Sequence, residues 1–162
     1  MIPAPLQAFG WAGIWIHPIA AASWAGPTAS RCASIFEDTD TAGIVYYANY
    51  LRFMERARSD MLRAVGIDQR AAMERGEGVY AVAEVAIRYR GSARLDDELV
   101  VVSTLRQVRA AACVIQQRVM RGDETLTDAT VTAAFITTDG RPRRQPRDWA
   151  ETFRRLVVEG EE

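Results

Sequence analysis

The sequence predicts an α+β fold in which one antiparallel sheet wraps around a single long central helix. Three observations carry this. Residues 47–65 repeat apolar side chains at helical spacing, four runs rich in β-branched residues follow between 79 and 138, and short turn signals part these runs. Strands joined by short turns pair antiparallel. An apolar helix of about five turns must be covered, and a curled sheet covers it. At 162 residues, 49% apolar and 25% charged, the chain has the size and composition of one globular domain with a real core.

Taken in order, residues 1–30 stand apart. They contain no Asp, Glu, Lys or Arg, yet hold Trp11, Trp15 and Trp24. Pro18 and Pro27 break the apolar run before it reaches membrane-spanning length, so no integral membrane segment is expected. Without a basic start, a secretory signal fits badly. The expected division is an extraneous or disordered segment over 1–30, the folded domain over 31–157 and an acidic tail over 158–162. The first strand is expected to be short and weak, around Ala33-Ser34-Ile35.

Next comes Phe36-Glu37-Asp38-Thr39-Asp40-Thr41-Ala42-Gly43-Ile44-Val45-Tyr46-Tyr47. Two aspartates and a glycine stand directly before a helix start. The helix spacing is set by Tyr47, Tyr50, Leu51, Met54, Ala57, Met61, Leu62 and Val65, with Gly66 as the natural stop. Arg52, Glu55, Arg56, Arg58, Ser59 and Asp60 form the polar face, with Arg56/Asp60 and Glu55/Arg58 at ion-pair spacing. Residues 67–78 read as a helical turn and a glycine-rich loop.

Four strands follow: 79–89, 99–108, 113–120 and 126–138. In the first, Val79, Ala81, Ala83, Val85, Ile87 and Tyr89 alternate onto one face. Leu95-Asp96-Asp97, Arg121-Gly122-Asp123-Glu124 and Asp139-Gly140 are the turns. After the proline-broken 141–147, a short amphipathic helix starts at Asp148 or Thr152 and uses Trp149, Phe153, Leu156 and Val157.

A helix start offers free backbone N–H donors and positive partial charge. A carboxylate held beside them suits a reaction in which an oxygen becomes negative, such as attack on a thioester carbonyl. Aspartates before a helix also serve as turn and cap residues, so both readings stand for Asp38 and Asp40 at this point. The charges on the polar face of the helix, Glu55 included, read as surface ion pairs ahead of any functional role.

The stretch from Phe36 through Asn49-Tyr50-Leu51 to Glu55-Arg56 resembles the signature of the hotdog-fold thioesterases of the 4-hydroxybenzoyl-CoA thioesterase superfamily. Within it, the Tol–Pal-associated acyl-CoA thioesterase (YbgC-like) branch is most similar. The resemblance runs from about Phe36 to about Leu156. It implies a hotdog fold and hydrolysis of a short- to medium-chain or aromatic acyl-CoA to free acid and CoA. In the matching Asp-Thr-Asp-x-x-Gly, it places the catalytic carboxylate on Asp40, as nucleophile or general base, and leaves Asp38 to hold the loop. It puts the oxyanion donor on the Tyr47 backbone N–H, with Gly43 leaving room for substrate and Val45 and Tyr47 lining the site. Many members of the branch have histidine at position 47, and tyrosine keeps the backbone donor while removing a side-chain acid/base.

Hotdog thioesterases place their site between subunits, so a homodimer or homotetramer is implied. Coenzyme A then lies across the boundary with its phosphates near arginines, for which Arg88, Arg90, Arg109 and Arg144 are the candidates. Acyl carrier protein is an alternative acyl donor, and the location implied is cytoplasmic. The resemblance also suggests an account of the N-terminal segment. Removing one T near the Ile35/Phe36 junction from a reverse translation of residues 27–36 lets the upstream frame read His-Arg-Phe-Pro-Leu-Arg-Val-Tyr-Phe straight into Glu37. That resembles the first strand usual in the family, so two accounts stand for the residues before about Phe36: an out-of-frame read, through a sequencing error or a real frameshift, or a natural, poorly ordered extension. Resequencing codons 30–36 checks this.

Other functions have little material. The net charge of −1 gives no basic footprint for nucleic acid. The single histidine, His17, lies outside the domain, which argues against an Asp–His hydratase on the same fold. Cys32 and Cys113 suggest neither a disulfide framework nor a zinc site, and no metal or other cofactor is expected. The competing reading is a non-catalytic acyl-binding or scaffold protein that partners acyl carrier protein or the Tol–Pal machinery.

Overall fold

The structure, a computed structural model, describes residues 27–157. The expectations for the N-terminal segment up to residue 26 and for the acidic tail lie outside the described residues. The elements are β1 (Thr28–Ala33), a one-turn 3-10 helix (Phe36–Asp38), α1 (Asn49–Ala64), α2 (Gln69–Glu74), β2 (Val79–Tyr89), β3 (Glu98–Val108), β4 (Ala112–Arg121), β5 (Glu124–Ile136) and α3 (Arg147–Leu156). One five-stranded sheet, in the order β1-β3-β4-β5-β2, is antiparallel throughout. This is the hotdog arrangement that the sequence implied.

Strand order departs from the simple meander in one place. β2 and β3 follow each other in the chain but are not neighbours, because β2 pairs with β5 and β3 pairs with β1 and β4. The connection between them crosses the end of the sheet over the start of α1. Ala93 takes the Val45 N–H on its carbonyl at 2.8 Å, and its own N–H donates to the Tyr50 hydroxyl at 2.8 Å. Asp96, with φ of 65°, turns the chain into β3.

β1 begins at Thr28, three residues before the expected domain boundary, and pairs from Thr28↔Ser103 to Ala33↔Glu98. Its residues are small and polar, so its signal in sequence is faint. What holds it is backbone pairing to β3 and the Ser30 hydroxyl donating to Asp60 at 2.9 Å.

α1 ends as its sequence dictates, with Gly66 at φ +77° beyond the last turn. One face of α1 packs Tyr50, Phe53, Met54 and Ala57 against Leu99, Val101, Val119, Leu126 and Ala129 of the sheet. Met61 and Leu62 join a second cluster with Leu105, Ile115, Phe135, Trp149 and Phe153. The sheet wraps more of the helix than a one-face reading allows. Arg58 and Asp60, expected on the polar face, are buried. Asp60 accepts from Ser30 and Arg63 rather than pairing with Arg56, while the expected Glu55–Arg58 pair forms.

β2 is not the uniform alternating strand expected. Its register with β5 slips between Val82↔Ala133 and Glu84↔Thr132, leaving Ala83 without a partner. This bulge flips the side-chain phase. Tyr80 packs on Phe135, Trp149 and Phe153 before it, and Ile87 packs on the α1 core after it. Gly78, at φ +124°, leads into β2, and a Cβ there would sit 2.6 Å from the Ile136 carbonyl and 2.9 Å from the Phe135 ring. Gly78→Ala is therefore expected to destabilise the fold by about 3 kcal/mol through strain and overpacking. Urea unfolding measures it, and an unchanged midpoint would contradict the packing described.

Candidate active site

The loop between β1 and α1 builds the site. Asp38, only 2% exposed, accepts the Ile35 N–H on its carboxylate at 3.0 Å. Its carbonyl accepts from the Tyr46 N–H at 2.8 Å and from Asn49 Nδ2 at 3.0 Å. Asp38 thus fastens both sides of the loop to the first residue of α1. Asp38→Asn keeps one acceptor oxygen and removes the charge. It is expected to cost roughly 1 kcal/mol of stability while the folded fraction retains its turnover. Parallel unfolding and activity measurements check this, and an inactive but fully stable variant would contradict it.

Asp40 sits at the exposed tip. Its N–H donates to the Ile44 carbonyl at 2.9 Å, and its carbonyl accepts the Gly43 N–H at 3.0 Å. Gly43 closes this turn at φ +71°, the left-handed region that glycine enters without cost. A Cβ at Gly43 would meet nothing within 4 Å. The turn therefore requires the glycine, and the space beside it is open.

One Asp40 carboxylate oxygen accepts the Ala42 N–H at 2.8 Å, which fixes the side chain in an Asx turn. The other has no hydrogen-bond partner among the described residues. The Tyr47 N–H also has none. The first residue of α1 is Asn49, and Ala48 at the cap position offers no side-chain bond. The Asn49 and Leu51 N–H groups are bonded to the Tyr46 and Ala48 carbonyls at 2.8 and 3.1 Å, so the Tyr47 N–H is a donor left at the positive end of the helix dipole. A carbonyl oxygen that becomes negative is stabilised by such a donor.

The rings of Tyr46, Tyr47 and Tyr89 cluster at this helix start. The Tyr46 and Tyr47 rings lie 4.7 Å apart, and Tyr47 and Tyr89 lie 6.2 Å apart edge to face. The Tyr89 hydroxyl donates to the Tyr47 carbonyl at 3.1 Å. Burial, then the Tyr47 and Tyr50 hydroxyls, raises the Tyr89 pKa above the ordinary phenol value, so this donor keeps its proton at neutral pH. Tyr89 and Asn49 are site residues that sequence reasoning missed. Asn49 carried a signal, since asparagine at a helix start is a capping residue type. Tyr89 read only as one more strand aromatic.

The other expected site residues divide. Tyr47 is 59% exposed, as a lining residue should be. Val45 is 2% exposed and packed in the α1 core, and its N–H is taken by the Ala93 carbonyl. Its side chain therefore faces the interior and not the site. The four arginines do not come together within one chain. Arg88 and Arg90 flank Tyr89, which pairs with Thr127 at one end of β2. Arg109 and Arg144 lie by the other end, where Val79 pairs with Ile136 and Gln145 donates to the Arg109 carbonyl at 2.7 Å. Ten residues of strand, about 33 Å, separate the two ends.

Comparison with known proteins gives a consistent result. A model of the thioesterase-like superfamily matches residues 35–155. The acyl-CoA thioesterase YbgC of Haemophilus influenzae is 40% identical over 101 residues, covering 62% of this chain and 74% of its own. The acyl-CoA thioester hydrolase YbgC of Escherichia coli is 37% identical over 91 residues, covering 56% and 67%. Among solved structures, a probable thioesterase from Bartonella henselae superposes with a TM-score of 0.69 at 31% identity, over 73% of this chain and 98% of that one.

Proposed function

The chain belongs to the thioesterase-like superfamily and hydrolyses acyl-CoA thioesters; from that premise we propose that the Asp40 carboxylate and the Tyr47 amide carry the reaction. The thioester carbonyl oxygen rests on the Tyr47 N–H. Asp40 either takes a proton from a water as that water attacks the carbonyl carbon, or attacks first and yields an anhydride that water then opens. In both routes negative charge collects on the carbonyl oxygen, the C–S bond breaks, and the CoA thiolate leaves and is protonated. A donor at this position is worth about 3–4 kcal/mol of transition-state stabilisation. The observation that carries the reading is that one loop, leading into an uncapped helix start, holds both an exposed carboxylate oxygen and an amide without hydrogen-bond partners among the described residues.

The active form is a dimer joined through β2. This strand is an edge of the sheet, eleven residues long, without proline. Val82, Val85 and Tyr89 on it are each more than a third exposed. An exposed sheet edge of this length is a template for strand addition. Two copies paired antiparallel along β2 set the Arg88/Arg90 end of one beside the Arg109/Arg144 end of the other. Phosphates of CoA then meet arginines from both chains. The reading extends to acyl carrier protein as a second acyl donor, to a cytoplasmic site of action and to a link with the Tol–Pal machinery, each resting on the family resemblance. Among the described residues no helix is long and apolar enough to cross a membrane.

A thiol-release assay over a panel of short, medium and aromatic acyl-CoAs tests the proposal. Saturable release of CoA with at least one of them is expected, and no release with any would contradict it.

A further inference from the structure

Ala48 at the cap of α1 offers no side-chain bond, so the backbone leading into the helix is fixed by other partners. Asn49, buried at the first position of α1, is one of them. Its N–H donates to the Tyr46 carbonyl at 2.8 Å, and its Nδ2 donates to the Asp38 carbonyl at 3.0 Å. That same Asp38 carbonyl accepts the Tyr46 N–H at 2.8 Å. Three bonds thus close a ring through Asp38, Tyr46 and Asn49. The Nδ2 bond is the one side-chain hydrogen bond from α1 to residues 35–45 among the described residues. It grips the loop at Asp38, two positions before Asp40.

The Tyr47 N–H belongs to the peptide unit whose carbonyl is that of Tyr46. In a trans unit the C=O and the N–H point opposite ways. The Asn49 N–H, by holding the Tyr46 carbonyl, therefore fixes the direction of the Tyr47 N–H. The next unit carries the Tyr47 carbonyl. Its one hydrogen-bond partner among the described residues is the Tyr89 hydroxyl, at 3.1 Å. Tyr89 is backed in turn by the Tyr50 ring, 5.9 Å away and edge to face. Tyr50 is buried, and its hydroxyl accepts the Ala93 N–H at 2.8 Å. Both peptide units that meet at the Tyr47 Cα are therefore held, one by Asn49 and one by Tyr89.

We infer that Asn49 and Tyr89 are positioning residues for the reaction. Together they aim the Tyr47 N–H at the thioester carbonyl, and Asn49 also sets the Asp40 loop against that donor. The inference rests on the thioesterase reading above. A donor stabilises the transition state when it is already aimed at the oxygen that becomes negative. A misplacement of about 1 Å costs on the order of 100-fold in rate. Neither side chain has to touch the substrate to act in this way. Their loss therefore lowers kcat and kcat/KM together and leaves KM in place.

The test is kcat, KM and thermal unfolding of Asn49→Ala, Tyr89→Phe and Tyr50→Phe, on the acyl-CoA of the panel that wild type hydrolyses fastest. Asn49→Ala leaves the Asp38 carbonyl its Tyr46 partner, and is expected to fold and to lose about 10- to 100-fold in kcat. Tyr89→Phe keeps the ring contacts and removes one exposed hydroxyl. It is expected to melt as wild type does and to lose about threefold to tenfold in kcat. Tyr50→Phe strands the buried Ala93 N–H, and is expected to melt lower while its folded fraction keeps kcat within about twofold of wild type. KM is expected to stay within about twofold in all three. Wild-type kcat in folded Asn49→Ala or in Tyr89→Phe overturns the inference, as does a loss carried by KM. An equal loss of kcat in Tyr50→Phe also overturns it, since the effect is then a general loosening of the turn. If Asn49→Ala does not fold, Tyr89→Phe alone decides. If wild type releases thiol from no acyl-CoA, the thioesterase reading falls and the inference with it.

Discussion

Ala83→Pro is expected to give a folded monomer with at least about a 100-fold loss of turnover. The position is chosen by the bulge. Ala83 has no partner on β5, since the register passes from Val82↔Ala133 directly to Glu84↔Thr132. Proline is tolerated at bulges and on edges because no internal ladder bond is lost there. No paired residue of the monomer's own sheet is replaced, while the edge gains a ring that obstructs an incoming strand. If CoA is held by arginines from two chains, the monomer cannot place a thioester against Tyr47. Misplacement of even about 1 Å costs on the order of 100-fold. Analytical ultracentrifugation beside the thiol-release assay reads both quantities. A monomer that remains fully active at assay concentration would remove β2 pairing from the mechanism.

The β2 edge shows where sequence reasoning stops. Antiparallel pairing was legible from the short turns, yet the placement of β2 beside β5 is set by contacts between residues far apart in the chain, such as Val79↔Ile136. No local signal encodes that. The bulge at Ala83 is equally silent, because alanine and valine fit either phase of the strand. Helical spacing identified Tyr50, Met54, Ala57, Met61 and Leu62 on the buried face of α1, but it also put Tyr47 and Leu51 there, and both are exposed, Tyr47 ahead of the first helical residue. It could not say how far the sheet wraps round, so Arg58 and Asp60 read as solvent-facing. Their burial depends on Gln117 and Ser30, which lie on distant strands.

Asp40→Asn is expected to lower thioester hydrolysis by about 10²–10⁴-fold, the usual cost of losing a general base. The substitution is mild in structure. The side-chain oxygen that accepts the Ala42 N–H is retained, so the Asx turn and the Gly43 turn behind it persist. What disappears is the negative charge and with it both the nucleophile and the base, since an amide serves as neither. CoA binding should be kept, because Asp40 is assigned to the reacting carbonyl and not to the phosphates.

Local spacing left both aspartates open as turn residues or catalysts, and only the family resemblance separated their proposed roles; the turns that hold them are local. Asp38 bonds Ile35 and Asp40 bonds Ala42, each within three residues, and such turns are written in the sequence that makes them. Val45 was misplaced for a related reason. In Ile44-Val45 both residues are aliphatic, and only the Ala93 carbonyl and the Tyr50 ring decide which one faces the core. The arginines could not be sorted by sequence, since their relation depends on which end of β2 each one flanks.

The central claim is that a carboxylate at Asp40, working beside the free Tyr47 amide, hydrolyses the thioester. Release of CoA thiol by wild type and Asp40→Asn, run side by side at saturating concentration of the best acyl-CoA, tests it most directly. The account predicts a folded Asp40→Asn that binds the substrate and releases thiol at least about 100-fold more slowly. A folded Asp40→Asn that releases thiol at the wild-type rate would contradict it.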